Sequence, residues 1–488
     1  MSRLIVVSNR VPVPDKRGTA PAGGLAVALK TALEARGGLW LGWSGRSCGE
    51  DEIGPLTSVK EGNIEYALTD LTQQDVEEYY QGFANRVLWP ICHYRLDLAE
   101  YGRREMAGYF RVNRFFASRL LPMLREDDLI WVHDYHLIPL AAELRRQGVR
   151  NRIGFFLHIP WPAPDVFLTM PVHEELLKGL TEYDVIGFQT VHDRENFADC
   201  LARQGLGKRM GTTRFMVGEQ AFTAKPYPIG IETDEFAGIA RRASETTLHR
   251  RMLQSLDGKA LIIGVDRLDY SKGITQRIDA FETFLTRHPD SQRHVTLLQI
   301  TPKSRSEVPE YEAMQRTVAE QAGRVNGALG TVDWVPIRYV NRSLRRPALA
   351  GLYRMAKLAM VTPLRDGMNL VAKEYVAAQN EEDPGVLLLS RFAGAAQELK
   401  EAVLVNPYDV EGTAEAIARG LAMPLEERRQ RWQGMMATLR ENDVFAWCRA
   451  FLDDLSGNAR TTATSAAPPK TAGYRMTLDP EGTRRHRL

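Results

Sequence analysis

The 488-residue chain balances 63 Lys and Arg against 61 Asp and Glu and is 44% hydrophobic, the composition of a soluble globular protein with length for about two to four domains. A net charge of +2 excludes the broad basic footprint of a general nucleic-acid binder and the acidic excess of a solvating chain. Scattered Cys48, Cys92, Cys200 and Cys448 exclude a zinc ribbon and a disulfide framework, and no run approaches the roughly 18 apolar residues of a membrane span. A cytoplasmic protein with neither a nucleic-acid nor a membrane partner is expected.

From the amino terminus, LIVVS predicts a strand over 4–8 that delivers Arg10 into a Pro- and Gly-containing loop. Gly23 and Gly24 then precede the helical pattern AVALKTALEA. Glycines there let backbone N–H groups approach a phosphate, although Gly-Gly before a helix is equally a common turn. Further strands are predicted at 129–133, 153–158 and 184–189. The first of these ends in HDYH, with His133, Asp134 and His136, and the second ends at His158. Two His around an Asp lack a third and fourth ligand at recognisable spacing, so no metal is expected. Asp134 suits paired sugar hydroxyls as an acceptor, and His158 reads either as a satisfied strand-end histidine or as a ligand contact.

A second set of apolar runs follows a boundary placed near 230–245, with strands predicted at 260–265, 295–300, 358–362, 385–390 and 402–406. Ile274, Ile278, Phe281 and Leu285 fall at helical spacing within 274–288. Such continuous apolar runs alternating with helices predict parallel sheets covered on both faces, hence an α/β protein of two doubly wound domains. In these folds ligands bind beyond the carboxyl ends of strands. There VDRLDYSKG sets Arg267 and Lys272 around a turn, as a clamp for a diphosphate. TPKSRSEV adds Lys303 and Arg305, and VTPLRDGMNLVAKEYVAAQ places Asp366 before a Gly-Met-Asn turn and a helix bearing Lys373 and Glu374. Neither G-x-G-x-x-G nor a P-loop occurs, which weighs against a nicotinamide-dependent dehydrogenase. Residues 456–488 read as a disordered tail whose six basic and two acidic residues give +4, leaving 57 basic and 59 acidic residues in the body.

The ordered set SNR, AGGLAVAL, GLWLGWSG, EYYQGFANRVLWP, ICHYRLD, IWVHDYHLIPL, IGFFLHIPWP, RLDYSKG and TPLRDGMNLVAKEYVAAQ resembles the trehalose-6-phosphate synthases from about residue 3 to about residue 455. RLDYSKG and DGMNLVAKEYVAAQ are the most specific of these strings. The resemblance implies a retaining glycosyltransferase of GT-B fold, two Rossmann-like domains facing a central cleft. It implies transfer of glucose from UDP-glucose to glucose 6-phosphate, giving α,α-trehalose 6-phosphate and UDP without a metal or other cofactor. It also implies an amino-terminal acceptor domain over 1–235, a nucleotide-sugar domain over 236–443 and a helix over 444–455 that crosses back to the first domain.

Carried over residue by residue, the acceptor site falls on Arg10, Tyr80, Trp89, Asp134 and Arg305, with Arg10 and Arg305 on the acceptor phosphate. The donor site falls on Gly23, Gly24, Arg267 and Lys272 at the diphosphate and on Asp366, Gly367, Met368 and Asn369 near the glucose. Leu370, Val371, Ala372, Lys373 and Glu374 would surround the nucleotide, with Glu374 accepting from the ribose hydroxyls. His158 would contact the donor sugar near its 6-hydroxyl, and Arg267, Lys272, His158 and Asp366 form the implied catalytic set. Three positions depart from the family pattern: Asp266 replaces a common Glu, Trp161 a common Phe, and Leu344 an aromatic that borders the donor base. The last leaves GDP- or ADP-glucose open. Another phosphorylated acceptor such as glycerol 3-phosphate, a non-catalytic sugar-phosphate sensor, and a homo-oligomer also stay open.

Overall fold

The computed structural model describes residues 2–11, 24–49, 52, 54, 56–303 and 309–457. The tail from 458, Gly23 and Arg305 lie outside the described residues.

Leu4, Ile5, Val6 and Val7 are buried on both faces of their strand, which is why an uninterrupted apolar run stands at the centre of a parallel sheet. The first sheet contains β1 (Leu4–Arg10), β2 (Gly38–Cys48), β3 (Thr57–Glu61), β4 (Ile64–Thr72), β5 (Leu129–His133), β6 (Ile153–Phe156), β7 (Val185–Phe188), β8 (Lys208–Arg209), β9 (Arg214–Val217) and β10 (Gln220–Pro226). Its order is β3-β4-β2-β1-β5-β6-β7-β10-β9-β8, parallel from β4 to β10 and antiparallel at both edges. The second sheet contains β11 (Ala260–Val265), β12 (Val295–Ile300), β13 (Ile337–Val340), β14 (Leu358–Val361), β15 (Val386–Ser390) and β16 (Val403–Val405). All six are parallel, in the order β13-β12-β11-β14-β15-β16.

That second order is the 3-2-1-4-5-6 arrangement of a Rossmann sheet, so its topological switch point lies between β11 and β14. The first sheet reverses between β1 and β5. Ligand-binding loops are therefore expected after β1 and β5 on one side and after β11 and β14 on the other. These four segments carry Arg10, Asp134, Lys272 and Asp366.

Two chain segments cross between the sheets, and they touch: the Val444 N–H donates to the Ile231 carbonyl at 3.1 Å. Helix Thr233–Ala243 follows the first crossing and packs on helices Arg346–Met355 and Leu370–Ala378 of the second sheet's layer. Helix Val444–Ser456 follows the second crossing and packs on the first sheet. Its Phe451 stacks on Trp131 with ring centroids 4.7 Å apart, and Asp454 accepts from both Lys225 Nζ and the Tyr227 hydroxyl at 2.6 Å.

Candidate active site

At the switch point of the second sheet, the loop after β11 folds back on itself. Asp269 accepts from the Ser271 N–H at 2.9 Å and the Ser271 hydroxyl at 2.8 Å, and its other oxygen accepts from the Tyr311 hydroxyl at 3.1 Å. Gly273 then turns with φ 60°, and a Cβ there would overlap the Thr362 carbonyl at the end of β14. This close seating brings Lys272 to the loop after β14, where its Nζ donates to Asp366 Oδ2 at 2.5 Å. Asn369 Nδ2 donates to the same oxygen at 3.0 Å. With φ 77°, Asn369 also caps helix Leu370–Ala378, its Oδ1 accepting from the Ala372 N–H at 3.3 Å. No acidic side chain occupies the first turn of that helix, so no side-chain carboxylate there offsets the positive end of its dipole.

Beneath this surface Arg277 is fully buried, 2.7 Å from Asp266, with Nε donating to Thr362 Oγ1 at 3.0 Å and Nη1 to Gln299 Oε1 at 3.1 Å. The two loops bearing Lys272 and Asp366 are thereby tied to one buried arginine.

The residues of the string expected around the nucleotide divide. Lys373 is fully buried and its ammonium donates to the Ile229 carbonyl at 2.8 Å and to Glu398 at 2.6 Å, so it braces the domain crossing. Glu374 is pushed up to about 7 by burial, with Arg346 pulling the other way. Arg346 itself donates to Glu232 at 3.3 Å, and Glu232 accepts from Thr31 of helix Gly24–Arg36 in the first domain at 3.3 Å. Leu344 is partly buried against the core, and Arg267 is exposed.

At the end of β1 in the first sheet, Arg10 stands exposed over the Trp43 ring at 5.1 Å. Tyr80 packs against Trp43 at 5.6 Å and stacks on His136 at 5.8 Å. Val76–Leu88 is wound as a π-helix, and its neighbouring tyrosines have different tasks: Tyr79 is buried and donates to Asn9 Oδ1 at 2.9 Å, while Tyr80 joins the aromatic wall. Trp89 packs on His93 at 4.1 Å and Tyr135 at 5.7 Å, and burial pulls His93 down to about 4. Asp134 adopts φ 76°, and its Oδ1 accepts from the His158 N–H at 3.3 Å. The side chain of His158 meets His133 at 3.1 Å.

The two loop sets touch directly. A Cβ on Gly367 would overlap the His158 carbonyl oxygen, so only glycine permits that approach. Arg365 lies over the Tyr94 ring at 3.8 Å and Arg95 over the Tyr270 ring at 5.2 Å, a reciprocal pair of cation–π contacts across the cleft. Trp43, Tyr94, Arg365 and Asp269 all lie inside or beside the strings singled out in the sequence, but spacing alone gave them no role. Among the described residues no group of three or more His, Cys, Asp or Glu is placed to hold a metal ion, and no helix is long and apolar enough to cross a membrane.

The profile of glycosyltransferase family 20 matches residues 2–457. A trehalose-6-phosphate synthase of Sinorhizobium fredii is 68% identical over 460 residues, spanning 94% of this chain and 99% of the relative. Among solved structures, a UDP-forming α,α-trehalose-phosphate synthase from Burkholderia xenovorans in complex with glucose-6-phosphate superposes with a TM-score of 0.90 at 47% identity, covering 93% of this chain and all of that one. An E. coli structure bound with UDP-2-fluoro glucose gives 0.88 at 46% identity over 93% of this chain and 99% of the other. With the GT-B arrangement of two parallel sheets and a family profile spanning the whole described body, the chain belongs to glycosyltransferase family 20.

Proposed function

We propose that this chain is a cytoplasmic enzyme that transfers glucose from UDP-glucose to glucose 6-phosphate with retention, giving α,α-trehalose 6-phosphate and UDP. The observation that carries it is the cluster of Lys272, Asp366 and Asn369 beside a helix amino terminus at one switch point, whose loop abuts His158 through Gly367, His158 itself being hydrogen-bonded to Asp134 at the other. Support for the compartment comes from Cys48, Cys92, Cys200 and Cys448, all free thiols. The organisation behind this reading is an acceptor domain to about 235, a donor domain to about 443 and a return helix over 444–455.

As the bond from glucose C1 to the diphosphate oxygen breaks, negative charge grows on the departing phosphate and positive charge on the sugar. Lys272, Arg267 and the amides at the start of helix Leu370–Ala378 meet the first. Asp366 and Asn369 accept from and donate to the glucose hydroxyls, and Glu374 accepts from the ribose. Arg10 and Arg305 hold the acceptor phosphate, Tyr80 and Trp89 wall the acceptor sugar, and Asp134 accepts from its hydroxyls. The acceptor 1-hydroxyl attacks the face that the diphosphate leaves, a C1–O bond forms, and the proton passes to the departing phosphate oxygen. The Gly367 approach and the paired cation–π contacts hold the two loop sets together, and closure of this kind limits access of water to a reacting centre.

Purified protein is expected to release UDP from UDP-glucose in a manner dependent on glucose 6-phosphate and not on glycerol 3-phosphate, and more slowly or not at all from GDP- or ADP-glucose. Absence of acceptor-dependent release sinks the proposal, and release driven by glycerol 3-phosphate redirects it to another acceptor.

Two further outcomes belong here. Arg10→Ala removes a charged hydrogen bond remote from the bond being made, so KM for glucose 6-phosphate is expected to rise about 10- to 100-fold with kcat changed far less. A ribose hydroxyl donates well to a carboxylate and poorly to a carboxylic acid. With Glu374 up at about 7, the donor KM is expected to rise as pH falls through neutrality and the carboxylate is lost. Glu374→Gln should have a high donor KM without that pH dependence, measured by initial rates across the range.

A further inference from the structure

His133, the last residue of β5, is fully buried, and its Nδ1 lies 3.1 Å from Nε2 of His158, just past the end of β6. The two rings are near-parallel, 27° apart. Trp131 and, from helix Val444–Ser456, Trp447 pack beside His133 at 4.6 Å and 6.4 Å. A contact between two nitrogens at this distance is a hydrogen bond only if one carries the proton and the other a lone pair. Burial pulls His158 down to about 3 and His133 well below its ordinary value, so both imidazoles are neutral near pH 7 and each holds one proton.

Two arrangements satisfy that condition. In one, His158 donates from Nε2 and turns a bare Nδ1 toward the ligand, while His133 keeps its proton on Nε2. In the other, His133 donates from Nδ1, and His158 keeps its own proton on Nδ1. The environment of His133 Nε2 distinguishes them. That atom is buried with no hydrogen-bond partner among the described residues, and the polar atoms of the two tryptophans beside it are indole N–H groups, also buried without acceptors. An N–H there would be a buried donor with no acceptor among the described residues, whereas a bare lone pair leaves no donor orphaned.

We propose that His133 is a positioning residue whose Nδ1–H fixes His158 as the Nδ1–H tautomer, so that His158 acts as a hydrogen-bond donor to one hydroxyl oxygen of the donor sugar. Nδ1 is the ring nitrogen that His133 leaves to a ligand, and the His158 carbonyl already abuts Gly367 of the loop bearing Asp366. A neutral His158 held this way donates a hydrogen bond to an oxygen, and its N–H is too weak an acid to transfer a proton to the departing phosphate. The sugar contact rests on the glucosyl-transfer reading, whereas the tautomer does not.

Long-range proton–nitrogen correlation spectra of the histidine-labelled full chain, with His158→Gln to assign the signals, test the tautomer without turnover. The expected result is His158 protonated on Nδ1 and bare on Nε2 near neutral pH. Protonation on Nε2, or on both nitrogens, overturns the proposal.

Kinetics with a panel of singly deoxygenated UDP-glucose analogues test its consequence. Wild type is expected to lose kcat/KM sharply for one analogue. His133→Phe should erase that discrimination while lowering kcat/KM for UDP-glucose about 10- to 100-fold, as loss of a histidine-orienting partner does elsewhere. His133→Asn, which keeps an N–H near the Nδ1 position, should retain it. Equal losses toward every donor in both variants, or full discrimination in the Phe variant, overturn the proposal. If wild type transfers nothing from UDP-glucose, the glucosyl-transfer reading fails and the spectra still decide the tautomer.

Discussion

Lys272→Ala is expected to lower kcat by about 10²–10³-fold, the scale on which a preorganised stabiliser of developing negative charge acts. The ammonium is held rather than waving in solvent: it is 2.5 Å from Asp366 Oδ2, and the two side chains are only 11% and 14% exposed. Its place is fixed by the Gly273 turn against Thr362. Because Asn369 still donates to Asp366 in the variant, the carboxylate keeps a partner and the fold should survive. Single-turnover rates at saturating UDP-glucose separate the chemical step from binding. An unchanged kcat with normal donor binding would remove Lys272 from the catalytic set.

The second large effect is on stability. Arg277→Met leaves Asp266 buried without its cation, and breaking such a pair from one side costs about 3–5 kcal/mol, or very roughly 10 °C in midpoint for a domain of this size. Asp266 is fully buried with Arg277, and burial already raises its carboxyl pKa against the pull of the arginine. In the variant that carboxyl rises further, so the folded state holds a proton that the unfolded state releases. The penalty is therefore small at acid pH, near the unfolded pKa, and grows as pH rises toward the folded pKa. Denaturant melts of Arg277→Met should show a smaller deficit at about pH 5 than at about pH 8. The double variant with Asp266→Leu should recover much of the loss, since an apolar pair of similar volume replaces a buried ion pair at little cost. A pH-independent deficit, or no recovery, would show that Arg277 acts by packing alone.

The sequence discloses the strands that are buried on both faces. β1, β5, β11, β12, β14 and β15 are mainly apolar runs, and β1, β5, β11 and β14 among them flank the switch points. β2, β4 and β13 escape that test. GLWLGWSGRSC is interrupted by glycines and runs out to the surface, IEYALTDLT mixes acids with apolar residues, and IRYV is mostly half-buried. The edge strand TSVKE is exposed along its length and has no apolar signal to read. The hairpin of β9 and β10 carries too few buried residues to stand out.

In the site, Lys272, Asp366 and Asn369 are legible because each sits in a loop directly after a predicted strand. Their supports are not. Arg277 reaches Gln299 and Thr362, 22 and 85 residues away, and His133 reaches His158, 25 away. Those pairings exist only once parallel strands bring the loop ends together. Lys373 shows the opposite case: a lysine in the string expected to surround the nucleotide, whose ammonium is spent on Glu398 and a backbone carbonyl at the domain crossing.

The most direct test of the glucosyl-transfer account is the structure of the product formed from UDP-glucose and glucose 6-phosphate, read by NMR of the anomeric centres. A single disaccharide phosphate is expected, in which both anomeric carbons share one oxygen and both are α. A β linkage from the donor, attachment at any other acceptor hydroxyl, or release of free glucose in place of a disaccharide would contradict it.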